Sequence, residues 1–301
     1  MINGIINVYK EKGYTSHDVV AKMRGILKIK KIGHTGTLDP DAEGVLPVCI
    51  GKATKLVDLI TDKDKTYEAV LKLGITTDTQ DITGQILTTR EVTVNKQEIE
   101  ETIKSFIGEY MQLPPMYSAI KVNGKKLYEL ARQGIEVERK RRKVTIYDIR
   151  ILKIDEVESE VWVSVDCGKG TYIRTLLYDI GEKLGCGGTM KSLVRTAVGK
   201  FKLENAYKLA DIEELAQKER VATAVLPIDE VLSEYSKITV AKEYNKLIYN
   251  GNPFHCNHVM EPKQKPSADW VRVYDSENTF IGIYQYDFDK KYYKPVKMFT
   301  N

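Results

Sequence analysis

Apolar residues recur along this chain with two different periods. Tyr67, Ala69, Leu71 and Leu73 fall on alternate positions, which predicts a strand with one face against a core. Val161, Val163 and Val165 alternate with Trp162, Ser164 and Asp166 in a second such run, 161–167, preceded by a strand-like run at 144–152. A short strand is predicted at 4–9. Helical spacing appears at Val19, Val20, Met23 and Leu27, behind Thr15 or Ser16 as N-cap and Asp18 in the first turn. It recurs at Ile99, Ile103, Phe106 and Ile107, behind the capping-box pair Asn95 and Glu98. A third helix, with Ile173, Leu176, Leu177, Ile180 and Leu184 on its apolar side, opens from Gly168-Lys169-Gly170-Thr171. From about Ser236 the texture changes: a helix is expected over 240–249, a turn at Gly251-Asn252-Pro253, and strands at 270–274, 280–284 and 296–299.

One stretch fits neither period. Residues 31–48 carry Gly33, Gly36, Gly44, Pro40 and Pro47, a poor composition for a helix interior or a central strand. The stretch reads as a loop of fixed shape, a suitable mount for reactive side chains, and it presents His34, Asp39, Asp41 and Glu43. Taken alone, Asp39 reads equally as a turn residue bonding its own backbone.

Composition narrows the setting. At 301 residues there is enough chain for one large domain or two. A formal net charge of +4 permits nucleic acid as a partner without demanding it, so the distribution matters more than the total. The basic residues gather between Lys121 and Lys143: Lys121, Lys125, Lys126, Arg132, Arg139, Lys140, Arg141, Arg142 and Lys143 face only Glu129, Glu136 and Glu138, with Tyr117 and Tyr128 alongside. That density of one sign, beside aromatic rings, suits RNA. Cys49, Cys167, Cys186 and Cys256 form no CxxC pair, and the chain is large, which suggests a reduced, cytoplasmic protein with free thiols. No apolar run approaches membrane-spanning length. Asp78 and Asp81 read as turn caps, and His255, Cys256 and His258 lack a fourth metal ligand at sensible spacing.

The run Gly33-His34-Thr35-Gly36-Thr37-Leu38-Asp39-Pro40, followed by Ala42-Glu43-Gly44-Val45-Leu46, resembles the catalytic loop of the TruB family, the bacterial tRNA pseudouridine-55 synthases. Further motifs extend the resemblance over most of residues 4–200: Lys10, Gly13, Thr15 and Ser16, with Glu11 where a proline is usual; Lys65-Thr66-Tyr67-Glu68-Ala69; Tyr117-Ser118-Ala119 with Lys121 and Gly124; and Lys169 to Arg174. The resemblance implies an α+β fold: a mixed, largely antiparallel sheet flanked by helices over 1–235, an RNA-binding insertion around 117–143, and a small β-rich PUA-like RNA-binding domain over 236–301. It implies isomerisation of a T-loop uridine of tRNA, without cofactor or catalytic metal, by a monomer that needs no protein partner. Asp39 would be the catalytic carboxylate and Arg174 its partner, keeping it ionised by lowering its pKa about 1 to 3 units. Tyr67 would pack on the base and assist the proton step. His34, Leu193, Lys10 and Lys121 would bind RNA or the target base, with Val194 standing where a basic residue is often found. The other reading open at this point is a tRNA-binding or folding protein without catalysis.

Overall fold

The computed structural model describes residues 2–118, 120–122, 124–260 and 269–300, apart from the Lys121 side chain. Its centre is a ten-stranded sheet. The main path runs Val225–Leu226, Gly4–Lys10, Glu43–Ile50, Gly188–Val198, Lys65–Leu73, Glu160–Cys167, Arg142–Asp155, Gly108–Gln112. Pairing is antiparallel except where Gly188–Val198 meets Glu43–Ile50, so the sheet is mixed and largely antiparallel. The alternation in Lys65–Leu73 resolves as expected: Tyr67, Ala69, Leu71 and Leu73 share one buried cluster with Val161, Val163 and Val165 of the neighbouring strand. The helices Lys96–Lys104 and Ile173–Lys183 cover that cluster through Ile99, Ile103, Leu176, Leu177 and Ile180. Ile107 is 43% exposed rather than on the apolar face, because the helix ends at Lys104 before its last turn reaches that residue.

The stretch 31–48 is not all loop. Ile32–His34 is a short strand and Glu43–Ile50 a central one, paired with Gly4–Lys10 from Gly44 to Ile50. Both faces of this strand are covered: Val45 and Cys49 join one core, Leu46, Val48 and Ile50 another. A strand buried on both faces needs a continuous apolar run rather than alternation, and 45–50 is such a run. Pro47 is tolerated because its carbonyl accepts from Thr35 N at 3.1 Å. The N–H and C=O of a strand residue point to the same side, so its missing N–H faces the Thr35 side, where the short strand has ended.

Gly44 is required by geometry. Its φ is +104°, and a Cβ there would lie 2.3 Å from the Arg195 carbonyl oxygen on the strand beside it. Gly44→Ala should therefore lower unfolding free energy by about 2–4 kcal/mol, from both backbone strain and overlap, as read by urea denaturation. A loss under about 0.5 kcal/mol would mean that the strand yields at this point without penalty.

The helix Ser16–Leu27 starts from Thr15, whose hydroxyl accepts from Asp18 N at 3.1 Å while Asp18 accepts from Thr15 N at 2.8 Å. It packs with Leu209–Gln217 on the face lined by Ile6, Val8 and Val48. The C-terminal sheet runs Ser236–Thr239, Trp270–Tyr274, Phe280–Asp287, Tyr292–Met298, Phe254–His255. The helix expected over 240–249 is shorter, Asn245–Tyr249, because Val240 is drawn into a bridge with Val259 and fully buried. This sheet is anchored to the larger one: Ile283 and Phe299 enter the core around Ile5 and Leu56, and Arg272 donates to the carbonyls of Tyr235 and Asp229 at 2.8 and 3.1 Å.

Candidate active site

Asp39 sits on the turn between the two strands that 31–48 forms, and that turn is held by its backbone. Leu38 N donates to Ser16 Oγ at 2.9 Å, Ala42 N to Asp39 O at 3.1 Å and Gly13 N to Pro40 O at 2.9 Å. Lys10 Nζ donates to Pro40 O at 3.0 Å. Lys10, expected to meet RNA, is fully buried and acts as a brace for this turn, and burial pulls its ammonium down to about 8. The same lysine therefore presents no free charge to a ligand.

Across the cleft, Arg174 stands in the first turn of Ile173–Lys183, and its Nε is 3.0 Å from Asp39 Oδ2. The guanidinium is 6% exposed and fully engaged. Nη1 donates to Thr79 O at 3.0 Å and lies 3.5 Å from Asp81 Oδ2, and Nη2 donates to Tyr117 O at 2.8 Å. One planar fork thus ties together the Asp39 turn, the 78–84 loop and the start of the basic insertion. Asp81 caps its own turn as expected, accepting from Thr83 N at 3.0 Å, yet its other oxygen belongs to this network. Gln112 fixes the approach of the helix: its Oε1 accepts from Tyr172 N at 2.8 Å and its Nε2 donates to Tyr172 O at 3.0 Å.

The pKa of Asp39 departs from expectation in direction. Burial pushes its carboxyl above the usual range, Asp81 adds to this, and Arg174 with Lys10 only partly opposes it. Arg174 therefore offsets a desolvation penalty rather than producing a depressed carboxyl.

Tyr67, 8% exposed, lines the same cleft with Leu193, Tyr117 and Tyr172. Burial raises its hydroxyl pKa, and the Arg195 cation works the other way. Arg195 was not among the expected site residues. Leu193 and Arg195 sit two apart on one strand, opposite Ala69 and Tyr67, so both reach the cleft, whereas Val194 between them turns away. The basic residue sought at position 194 is thus found one place on.

His34 stands apart from the Asp39–Arg174 pair, at the end of its short strand, with its ring edge-on to His17 at 5.1 Å between centroids. Burial, then the neighbouring His17, lowers its pKa. Lys121 lies on a two-residue strand, and its side chain is outside the described residues. In the insertion, several cations are already engaged: Arg139 and Arg141 donate to the carbonyls of Pro114 and Met111, Lys143 pairs with Glu109 at 2.7 Å, and Lys126 donates to the Tyr128 hydroxyl at 3.3 Å. Lys125, Arg132 and Lys140 are exposed, with Arg132 over the Tyr128 ring at 5.5 Å. Arranged this way, the cleft offers a carboxylate held by a cation, an aromatic wall and an apolar floor, with exposed positive charge beside it. Such a site suits chemistry on a planar base and its attached sugar.

Residues 24–173 match the N-terminal domain of TruB family pseudouridylate synthase, and residues 174–233 match the tRNA pseudouridylate synthase B C-terminal domain. The chain is 57% identical to tRNA pseudouridine synthase B of Lachnoclostridium phytofermentans, covering 99% of this chain and 100% of that one. It is 51% identical to the protein of the same name from Alkaliphilus oremlandii, covering 99% and 98%. Among solved structures, a crystal structure of a Cbf5-Nop10-Gar1 complex holds a chain with a TM-score of 0.71 at 27% identity, covering 99% of this chain and 84% of that one.

Proposed function

The chain belongs to the TruB family of pseudouridylate synthases and isomerises uridine to pseudouridine in tRNA; we propose that its target is the T-loop uridine, position 55, and that Asp39, Arg174 and Tyr67 carry the reaction. The observation that supports this assignment most is the 3.0 Å pair between Asp39 and Arg174 at a cleft that Tyr67 also lines. Isomerisation breaks the C1′–N1 bond, turns the base, joins C1′ to C5, releases the C5 proton and leaves N1 protonated, with no net redox change. Asp39 supplies the carboxylate that acts at the ribose or base. Arg174 aims it and offsets the penalty of its burial. Tyr67 packs on the extruded base and takes part in moving the C5 proton, and Leu193 closes the apolar side. Extrusion costs about a few kcal/mol, and stacking on an aromatic wall returns about 1–3 kcal/mol per base. His34, beside His17, holds the vacated T-loop position open.

A non-catalytic tRNA binder would use the basic insertion and the second sheet equally well. It would have no use for a half-exposed carboxylate kept beside Arg174 in a cleft. All three assigned side chains come from one chain, which supports action as a monomer without a protein partner, and the free thiols agree with a cytoplasmic setting. We divide the chain at about residue 235, with the PUA-like part following, because the second sheet begins at Ser236.

Incubating an unmodified tRNA transcript with the protein, then mapping pseudouridine by reverse-transcription stops after carbodiimide treatment, tests the target. A single stop at the T-loop uridine is expected, and modification confined to other arms would overturn the assignment. For the insertion, replacing Lys125 and Lys140 with Ala should weaken tRNA binding and lower the slope of log Kd against log salt by about 2, near one per phosphate contact. Filter binding between about 50 and 200 mM salt reads this, and an unchanged slope would remove both residues from the RNA interface.

A further inference from the structure

Arg195 is 1% exposed, and its Nε and Nη1 donate to carbonyls rather than to carboxylates. Nε donates to Val45 O at 2.8 Å and Nη1 to Thr37 O at 3.5 Å, one on each side of the Asp39 turn. Nη2 is buried with no hydrogen-bond partner among the described residues. A buried cation with an unmet donor is expensive to maintain, and here it lies in the wall of the cleft that holds Asp39 and Tyr67. Cross-strand register puts Arg195 directly opposite Tyr67 on the same face. Burial raises the Tyr67 pKa, and Arg195 opposes this through its charge and a side-chain hydrogen bond, so the guanidinium already lies within reach of the hydroxyl.

We propose that Arg195 is a positioning residue for this reaction: it fixes the Asp39 turn through Thr37 and Val45, and it donates Nη2 to the Tyr67 hydroxyl when the base seats. A phenol oxygen that accepts from Arg195 turns its own proton away from that guanidinium, toward the base. One side chain would thereby set the carboxylate and the tyrosine in a single mutual geometry. Leu193, two residues earlier, would set the base against both. This inference rests on the assignment of Tyr67 to the reaction.

The test is a double-mutant cycle in the full chain, read as the single-turnover rate at saturating tRNA together with tRNA Kd. Arg195→Met should slow the rate about 10²-fold, the scale of an ångström-sized misplacement, with Kd little changed. In a Tyr67→Phe background the same change should cost clearly less than in wild type, because the share that runs through the Tyr67 hydroxyl is already gone and only the share that runs through the Asp39 turn remains. Arg195→Lys should recover part of the rate, since it keeps the charge but not the three-way fork. If Arg195→Met does not fold, Arg195→Lys carries the same comparison in both backgrounds. An equal loss in both backgrounds, or a rate loss wholly explained by Kd, would overturn the proposal. A Tyr67→Phe variant as fast as wild type would instead remove the Tyr67 assignment itself, so the two failures are distinguishable.

Discussion

Asp39→Asn will lose pseudouridine formation by at least about 10⁴-fold while keeping wild-type tRNA affinity. The amide is nearly isosteric, can still accept from Arg174 Nε, and leaves the turn's backbone bonds to Ser16, Gly13 and Lys10 untouched. What it cannot do is act as a nucleophile or base. Its stability should not fall, because burial already disfavours the ionised carboxyl. A group whose folded pKa lies above its unfolded value contributes most at low pH and loses that contribution as pH rises through the folded value. The neutral amide relieves that burial penalty while weakening the pairing of the buried Arg174, so the two effects offset and stability changes little. A variant that loses tRNA binding in step with activity would point to a structural role for Asp39.

Arg174→Met should be milder in rate and far worse in stability. Removing the guanidinium leaves Asp81, Asp39 and the carbonyls of Thr79 and Tyr117 without their donor. Losing one positioned cation costs about 10²–10³-fold in rate. The stability loss should be about 1–3 kcal/mol, below the usual figure for breaking a buried pair because the Asp39 side chain is 42% exposed. Arg174→Lys should recover little, since a single ammonium cannot reach all four partners. The pH profile separates this role from mere packing. Arg174 is the chief group opposing the burial-driven rise of the Asp39 pKa, so its loss should move the acid limb of the rate to higher pH. An acid limb that stays in place, at any rate, would show that Arg174 does not act on Asp39.

Much of this arrangement was legible in the sequence where a single local rule decides the outcome. Tyr67 could be placed on a half-buried strand because its neighbours alternate, and the helix after Thr15 because its cap is a local side-chain motif. The strand Glu43–Ile50 was hidden, because its glycine and proline violate strand propensity. The compensations are tertiary: Arg195 packs on Gly44, and the strand beside Pro47 has ended at His34. Arg195 itself was within reach of period-two reasoning from Leu193, which a motif centred on position 194 obscured. The turn-capping role of Asp81 is visible in its own neighbours and its place in the site is not, because no local pattern tells which distant arginine takes the second carboxylate oxygen. Lys10 shows the limit of reading charge as exposure: nothing in its neighbours announces that it will be sealed beneath Pro40.

The most direct measurement is tritium release from tRNA carrying uridine labelled at C5, because each isomerisation frees that one hydrogen. Wild-type protein should release tritium in step with pseudouridine formed in the T loop, and Asp39→Asn should release none while binding the tRNA equally well. Release by Asp39→Asn at the wild-type rate, or tight binding by wild type with no release, would contradict the assignment of this cleft as the site of the isomerisation.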